Sequence, residues 1–226
     1  MPQYAGADKR VFSTLKRCSA NTQAGSTGAA PGLRWTAVCG QAAAILLAVT
    51  LSVSTEAREV AGVKLDETAR LAGIDTPLVL NGAGVRSKFF VKVYVAGLYL
   101  QQKTSSVETV LASPGAKRVH MRFIHSEVSA KKFRAGWSDG YRANQSDEAL
   151  ARLAERIERF NGFFPDVKNG DVVDVDYVPD TGTRVRINGE SKGVIEGEDF
   201  HQATLRIWLG DAPASAGLKK AMLTGP

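Results

Sequence analysis

The sequence predicts an α+β domain built on an antiparallel sheet, and three observations carry that expectation. Apolar and polar residues alternate with a period of two through 117–124 and 173–187, where β-branched and aromatic side chains concentrate. Tight-turn residues, Pro179-Asp180-Thr181-Gly182 and Asn188-Gly189, join consecutive strand segments into hairpins. Stripes at helical spacing occur in groups, between these strands and at the C-terminal end. A helix after every strand would have indicated a parallel sheet instead.

Taken in order, Val63 and Leu65 alternate with polar neighbours, and Pro77-Leu78-Val79-Leu80-Asn81 is a short strand closed by an Asn81-Gly82 turn. After Gly82-Ala83-Gly84-Val85-Arg86 comes the most apolar stretch, 89–100, which predicts a long central strand bulged at Ala96-Gly97. Over 117–124, Val119, Met121 and Phe123 share one face and Arg118, His120 and Arg122 the other, giving a half-buried strand. Ser129 is an N-cap for a helix whose stripe is Phe133, Trp137 and Tyr141. Ser146-Asp147-Glu148 starts a second helix, a cap with acids at the positive end of the dipole, that buries Leu150, Leu153, Ala154, Ile157 and Phe160. Val173, Val175 and Tyr177 then alternate with Asp174 and Asp176, whose carboxylates are expected on a solvated face. Val185 and Ile187 form the returning strand, and 192–195 follows the Asn188-Gly189 turn. Asp199 is read as the cap of a helix carrying Phe200, Ala203, Leu205 and Trp208, and Ser215 as the cap of a last one with Leu218, Ala221 and Met222.

Composition narrows the function. Of 226 residues, 44% are hydrophobic and 23% charged, which excludes a disordered or collagen-like chain. The net charge of +6 invites a nucleic-acid partner, but five basic and two acidic side chains lie in residues 1–57. The remainder carries 24 basic and 21 acidic groups with no cationic block, so no polyanion partner is expected. Cys18 and Cys39 also fall in that first segment. Everything from Arg58 onward lacks cysteine, and His120, His125 and His201 stand at no metal-site spacing. No metal, no other cofactor and no cysteine nucleophile is expected.

Residues 1–33 are rich in Ser, Thr, Gly, Ala and Gln and read as a disordered extension. Arg34, an apolar run over 37–51 and the small-x-small ending Thr55-Glu56-Ala57 make residues 34–57 a secretory signal, cleaved after Ala57. The run is too short and too Ala-rich for a membrane span of about 20 residues, although an uncleaved anchor is the alternative. The expectation is a periplasmic or secreted protein with one domain, 58–226, no stable membrane span after cleavage, and a monomeric state.

Several candidate chemistries fail on their surroundings. Gly82-Ala83-Gly84 begins like a dinucleotide fingerprint, but a strand follows where the pyrophosphate needs a helix N-terminus. No serine sits in a nucleophile elbow. Arg86 is different: a permanent cation before the most apolar strand needs a partner, and Tyr94 in that strand carries a phenol that needs a hydrogen bond if buried. Together they suit a carboxylate or phenolate at the mouth of an apolar cleft. The structural alternative is an Arg86 paired with an acid and a Tyr94 packed in the core.

The run Gly82-Ala83-Gly84-Val85-Arg86, then 90–100, resembles the family of chalcone isomerase and its non-catalytic relatives. So does the closing segment Ile207-Trp208-Leu209-Gly210-Asp211 with Pro213, Ser215 and 218–221. The resemblance spans about 60–223, is closest to the bacterial branch that carries a signal peptide, and implies an open-faced β-sandwich, a large antiparallel sheet against a layer of helices with a ligand cleft between. It implies that Arg86 positions the ligand and that Tyr94 stands where the isomerase has a strand threonine. Phe133 and Gly140 then stand for the isomerase's helix tyrosine and asparagine, and Ile207 for its late threonine or serine. An Arg with a strand Tyr is the pattern of the fatty-acid-binding relatives, and Phe133 and Ile207 make the cleft more apolar. The resemblance thus implies non-catalytic binding of a fatty acid or similar amphipathic carboxylate by Arg86, Tyr94, Phe133 and Ile207. A cofactor-free isomerase (intramolecular lyase) acting on a flavonoid-like substrate, and a structural or partner-binding domain with a closed cleft, are the other two readings.

Overall fold

Period-two alternation builds one seven-stranded sheet, in which every neighbouring pair is antiparallel. The computed structural model describes residues 57–224. The extension over 1–33 and all of the expected signal segment except Ala57 lie outside the described residues. In chain order the sheet strands are β3 (Thr68–Ala69), β4 (Leu78–Lys88), β5 (Val91–Leu100), β6 (Lys117–Phe123), β9 (Val172–Val178), β10 (Gly182–Ile187) and β11 (Glu190–Ile195). Their spatial order is β11-β10-β9-β6-β5-β4-β3. Two small antiparallel pairs stand apart, the hairpin β1 (Ala57–Val60) with β2 (Val63–Asp66), and β7 (Glu127–Val128) with β8 (Val167–Lys168). The helices are α1 (Val107–Ala112), α2 (Ala130–Asn144), α3 (Asp147–Asn161), α4 (Glu198–Leu209) and α5 (Ala216–Met222). The result is the α+β architecture expected, with the large sheet packed on a helical layer.

The main core lies between one sheet face and the helices. Leu98, Leu100, Val119, Met121, Phe123, Val173, Val175, Val185 and Ile187 are all buried there, as the alternation predicts. From the helical side come Phe133, Trp137 and Tyr141 of α2, Leu153 and Phe160 of α3, with Leu150 and Ile157 partly buried against them. Ala154, expected in that stripe, is exposed, because the buried arc of α3 is narrower than the pattern suggested. Ser129, Ser146 and Ser215 each accept a hydrogen bond from the third residue of the helix they cap. Asp199 does not cap α4. The cap is Gly197, at φ 99°, and the Asp199 carboxylate pairs with Arg156 at 2.7 and 2.8 Å.

Three local expectations around the sheet's long hairpin need correction. Asn81-Gly82 is no turn: β4 runs straight through it, because the buried Asn81 amide donates to the carbonyls of Thr104 and Met222 and accepts from the Thr104 N–H. Gly82 and Gly84 stay bare because α5 lies directly on them. A Cβ at Gly82 would run into the Ala221 carbonyl, and one at Gly84 would lie 2.6 Å from the Ala221 Cβ. The bulges fall on β4, near Asn81 and after Arg86, rather than at Ala96-Gly97. Phe89 and Phe90 belong to no strand. They form the two-residue turn between β4 and β5, with φ of +49° and +67°, a left-handed conformation that costs L-residues about 1–2 kcal/mol each. Helix α1, capped by Ser106, has too few periodic positions to stand out in the sequence.

Asp174 and Asp176 lie on the sheet face opposite the helices, as alternation requires, but that face is not solvated there. Leu65 of β2 and Leu71 pack over it with Tyr99, Val95 and Val178 in a second, smaller core. Tyr99 donates to the Asp66 carbonyl at 2.9 Å, and Arg184 to that of Ala72 at 3.1 Å. Beneath, Arg118 grips Asp176 through two hydrogen bonds of 2.6 and 2.8 Å, and His120 pairs with Asp174 at 2.7 Å. Asp176 is fully buried. Asp174 is held below the usual carboxylate range, the cost of its burial being outweighed by the His120 hydrogen bond and the Arg118 charge.

Helix α4 is the centre of the helical layer, buried at eight of its twelve positions. One of these is His201, stacked on Tyr177 at 4.6 Å between ring centroids and 3.3 Å from the Thr183 hydroxyl. Burial, reinforced by the nearby Lys117 charge, keeps the imidazole neutral with its pKa well below the ordinary value. The unfolded chain takes up a proton near pH 6.5 that the folded domain refuses, so stability falls as pH drops through that value. The expected loss is at most about 1.4 kcal/mol per pH unit from this group. Thermal unfolding between pH 7 and pH 5 checks it: the midpoint of a His201→Leu variant varies less with pH than that of the parent. Equal slopes would show that His201 does not carry the effect.

Candidate functional site

Arg86 and Tyr94 are placed by strand register. They are direct cross-strand partners in β4 and β5, so both side chains leave the sheet on the helical side. There they meet a cleft of about 450 Å³, within the range usual for small-molecule sites. Its floor is Met121 and Phe123 of β6. Its opposite wall is Phe133 and Trp137 of α2 with Ile207 of α4. All four residues singled out from the sequence, Arg86, Tyr94, Phe133 and Ile207, therefore line one cavity.

The polar end of the cleft has a definite electrostatic layout. The half-buried Arg86 guanidinium lies over the Tyr94 ring, 5.6 Å from its centroid, and among the described residues no ion pair holds it. The Tyr94 hydroxyl accepts a hydrogen bond of 3.0 Å from the Trp208 indole N–H. Burial raises the Tyr94 pKa, outweighing the opposing effects of Arg86 and Trp208, so the phenol stays protonated and keeps its own proton to donate. A permanent cation and a neutral donor thus face the same apolar space. That pair can hold a carboxylate, one oxygen on each, while the remainder of a ligand lies against hydrocarbon.

The walls are aromatic and tied to the anchor. Tyr94 packs edge-on to Phe123 at 5.4 Å, Phe123 to Phe133 at 5.2 Å, Phe133 stacks on Trp137 at 5.7 Å, and Trp137 meets Trp208 at 5.3 Å. The Trp208–Tyr94 hydrogen bond closes this series into a ring. Trp137 appears in the sequence as a member of a helical stripe, and Trp208 as a member of another and of the family-like closing segment, but nothing in their spacing signals a role at a site. Yet Trp208 orients the Tyr94 hydroxyl, and the buried Trp137 N–H has no hydrogen-bond partner among the described residues. At the junction of α2 and α4, Gly140 and Ile207 fit one another: a Cβ at Gly140 would lie 2.7 Å from Ile207 Cγ2. A single apolar contact thus occupies two of the positions at which the resemblance puts polar side chains in the isomerase. The rim carries charges of both signs, Lys88 and Lys132 with Glu127 and Asp139.

A family model described as chalcone isomerase-like matches residues 57–224. The structure is similar to the crystal structure of a fatty-acid binding protein of Arabidopsis thaliana, with a TM-score of 0.61 at 13% sequence identity, covering 75% of this chain and 96% of that one. At that identity the likeness is one of fold. No curated protein matches the sequence.

Proposed function

The chain belongs to the chalcone isomerase-like family, and on that premise we propose that it binds a fatty acid or similar amphipathic carboxylate without transforming it. One observation carries the reading: Arg86, with no ion pair among the described residues, shares the end of an apolar cleft with a Tyr94 hydroxyl held in place by Trp208. A carboxylate supplies the anion that the guanidinium lacks, and an acyl chain fills the space between Phe123, Phe133 and Ile207. The structural neighbour's being a fatty-acid binding protein agrees with this reading. Phe133 and Ile207 offer no hydroxyl to a developing oxyanion, so the protein is expected to be silent in a chalcone absorbance assay. For the compartment we propose the periplasm or the exterior, on the strength of the signal pattern over 34–57.

Titration with dodecanoate tests the site. Charge-assisted hydrogen bonds to a carboxylate contribute about 1.5–3 kcal/mol each, so Arg86→Ala is expected to weaken binding roughly ten- to a hundredfold. Tyr94→Phe removes one neutral donor, keeps the ring, and costs less. Circular dichroism of each variant checks that it is folded. Unchanged affinity in the Arg86 variant, or saturable chalcone turnover that Arg86→Ala abolishes, overturns the reading.

A further inference from the structure

The β4–β5 turn presents a feature that ligand binding alone does not require. Among the described residues, the exposed large apolar side chains are Phe89, Phe90 and Val91, 85%, 104% and 47% exposed, and all three stand at this one tip. Singly scattered apolar residues need no explanation, but a contiguous group that the chain holds in left-handed backbone does. Asn-Gly would make the same two-residue turn without strain. The flanking charge has one sign: Lys88 and Lys92 bracket the tip, Arg86 lies just behind, and the sequence has no acidic residue between Asp75 and Glu108. The acids that line the cleft are on other elements, Glu127 of β7 and Asp139 of α2.

We propose that this tip docks on an anionic lipid bilayer, with the two phenylalanine rings entering the headgroup–acyl boundary and Lys88 and Lys92 meeting lipid phosphates. Aromatic rings with lysines on either side, stems along the apolar surface and ammonium groups outward, are the composition that such an interface accepts. Among the described residues no helix is long and apolar enough to cross a membrane, so this contact is peripheral. Phe89, Val91 and Lys88 are also part of the cleft's lining, which sets the cleft mouth at the surface the tip would touch. The inference rests on the proposed carboxylate reading for its purpose, exchange of an amphipathic ligand with a bilayer, and on the tip alone for its physics.

The test reads insertion at the tip itself, in the full chain. With Cys18→Ser and Cys39→Ser, an environment-sensitive fluorophore is attached through Phe90→Cys, a position outside the cleft lining, or through Glu155→Cys on the exposed side of α3 as a control. Phosphatidylcholine vesicles with one quarter phosphatidylglycerol are expected to brighten and blue-shift the tip probe and leave the control unchanged. Lys92→Glu, also outside the cleft lining, is expected to weaken that response roughly five- to thirtyfold. No response at the tip, equal responses at both positions (which would place the contact in the apolar run 37–51), or equal responses to vesicles without phosphatidylglycerol would overturn the proposal. Dodecanoate titration of the same proteins without vesicles separates the two readings. A flat titration with a responsive tip refutes the cleft ligand and leaves the docking intact, whereas normal binding with a silent tip refutes the docking alone.

Discussion

Asp176→Ala is expected to destabilise the domain by about 3–5 kcal/mol, the range for breaking a buried ion pair from one side. The carboxylate is fully buried and takes both hydrogen bonds of the Arg118 fork, with Arg184 a further 3.9 Å away. Without it, a guanidinium whose side chain is only 10% exposed keeps Asp174 at 3.7 Å as its remaining acid. The alternation of charge with valine along β9 gives no hint of so large an effect. Urea unfolding measures it. Because exchanging both partners for apolar residues is often nearly neutral, Arg118→Met with Asp176→Leu should recover the larger part of the loss. A single-variant loss below about 1 kcal/mol would mean that water reaches Arg118, as at a surface pair.

Trp208→Ala should cost about as much, roughly 3–5 kcal/mol, through the cavity left in the middle of the helical layer. Trp208→Phe separates packing from positioning. It keeps most of the buried area and loses the N–H that holds the Tyr94 hydroxyl, so stability should fall by about 0.5–1.5 kcal/mol. Dodecanoate affinity should fall several-fold in that variant, with no further loss when Tyr94→Phe is added, since the two changes remove one shared device. Fully additive losses would show that Trp208 acts on the ligand by a separate route.

The fold was largely legible because its signals are local. Period-two alternation assigned Val119, Met121, Phe123, Val173, Val175, Val185 and Ile187 to one face, and three serine caps located three helix starts. Arg86 could be singled out from its neighbours, since a cation before an apolar strand is conspicuous in any context. What escaped the sequence depends on partners far along the chain. Alternation correctly put Asp174 and Asp176 on the face opposite the valines, but which face meets water is decided by Leu65 and Leu71, over a hundred residues earlier. Asn81-Gly82 has turn composition, yet the Asn81 amide has better use bridging Thr104 and Met222. Phe89-Phe90 sits in a run that propensity assigns to strand, and nothing local reveals that the chain reverses there against that propensity. Trp137 and Trp208 fit their helical stripes so well that the direction of an indole N–H, which no periodicity encodes, was the missing information.

The seat of α5 on β4 has a consequence for the order in which the domain is made. Asn81 hydrogen-bonds the Met222 carbonyl across 141 residues, and Gly82 and Gly84 are shaped to receive Ala221 and Leu218. On the ribosome, β4 and β5 emerge well before α5, whose surface they fit, because more than a hundred residues lie between them. Contacts of such sequence separation cannot form piecewise as the polypeptide lengthens, and the entropy of closing that long loop must be met before they form. The strand that bears Arg86 therefore waits, with its glycines uncovered, until α5 has been made and can close over them.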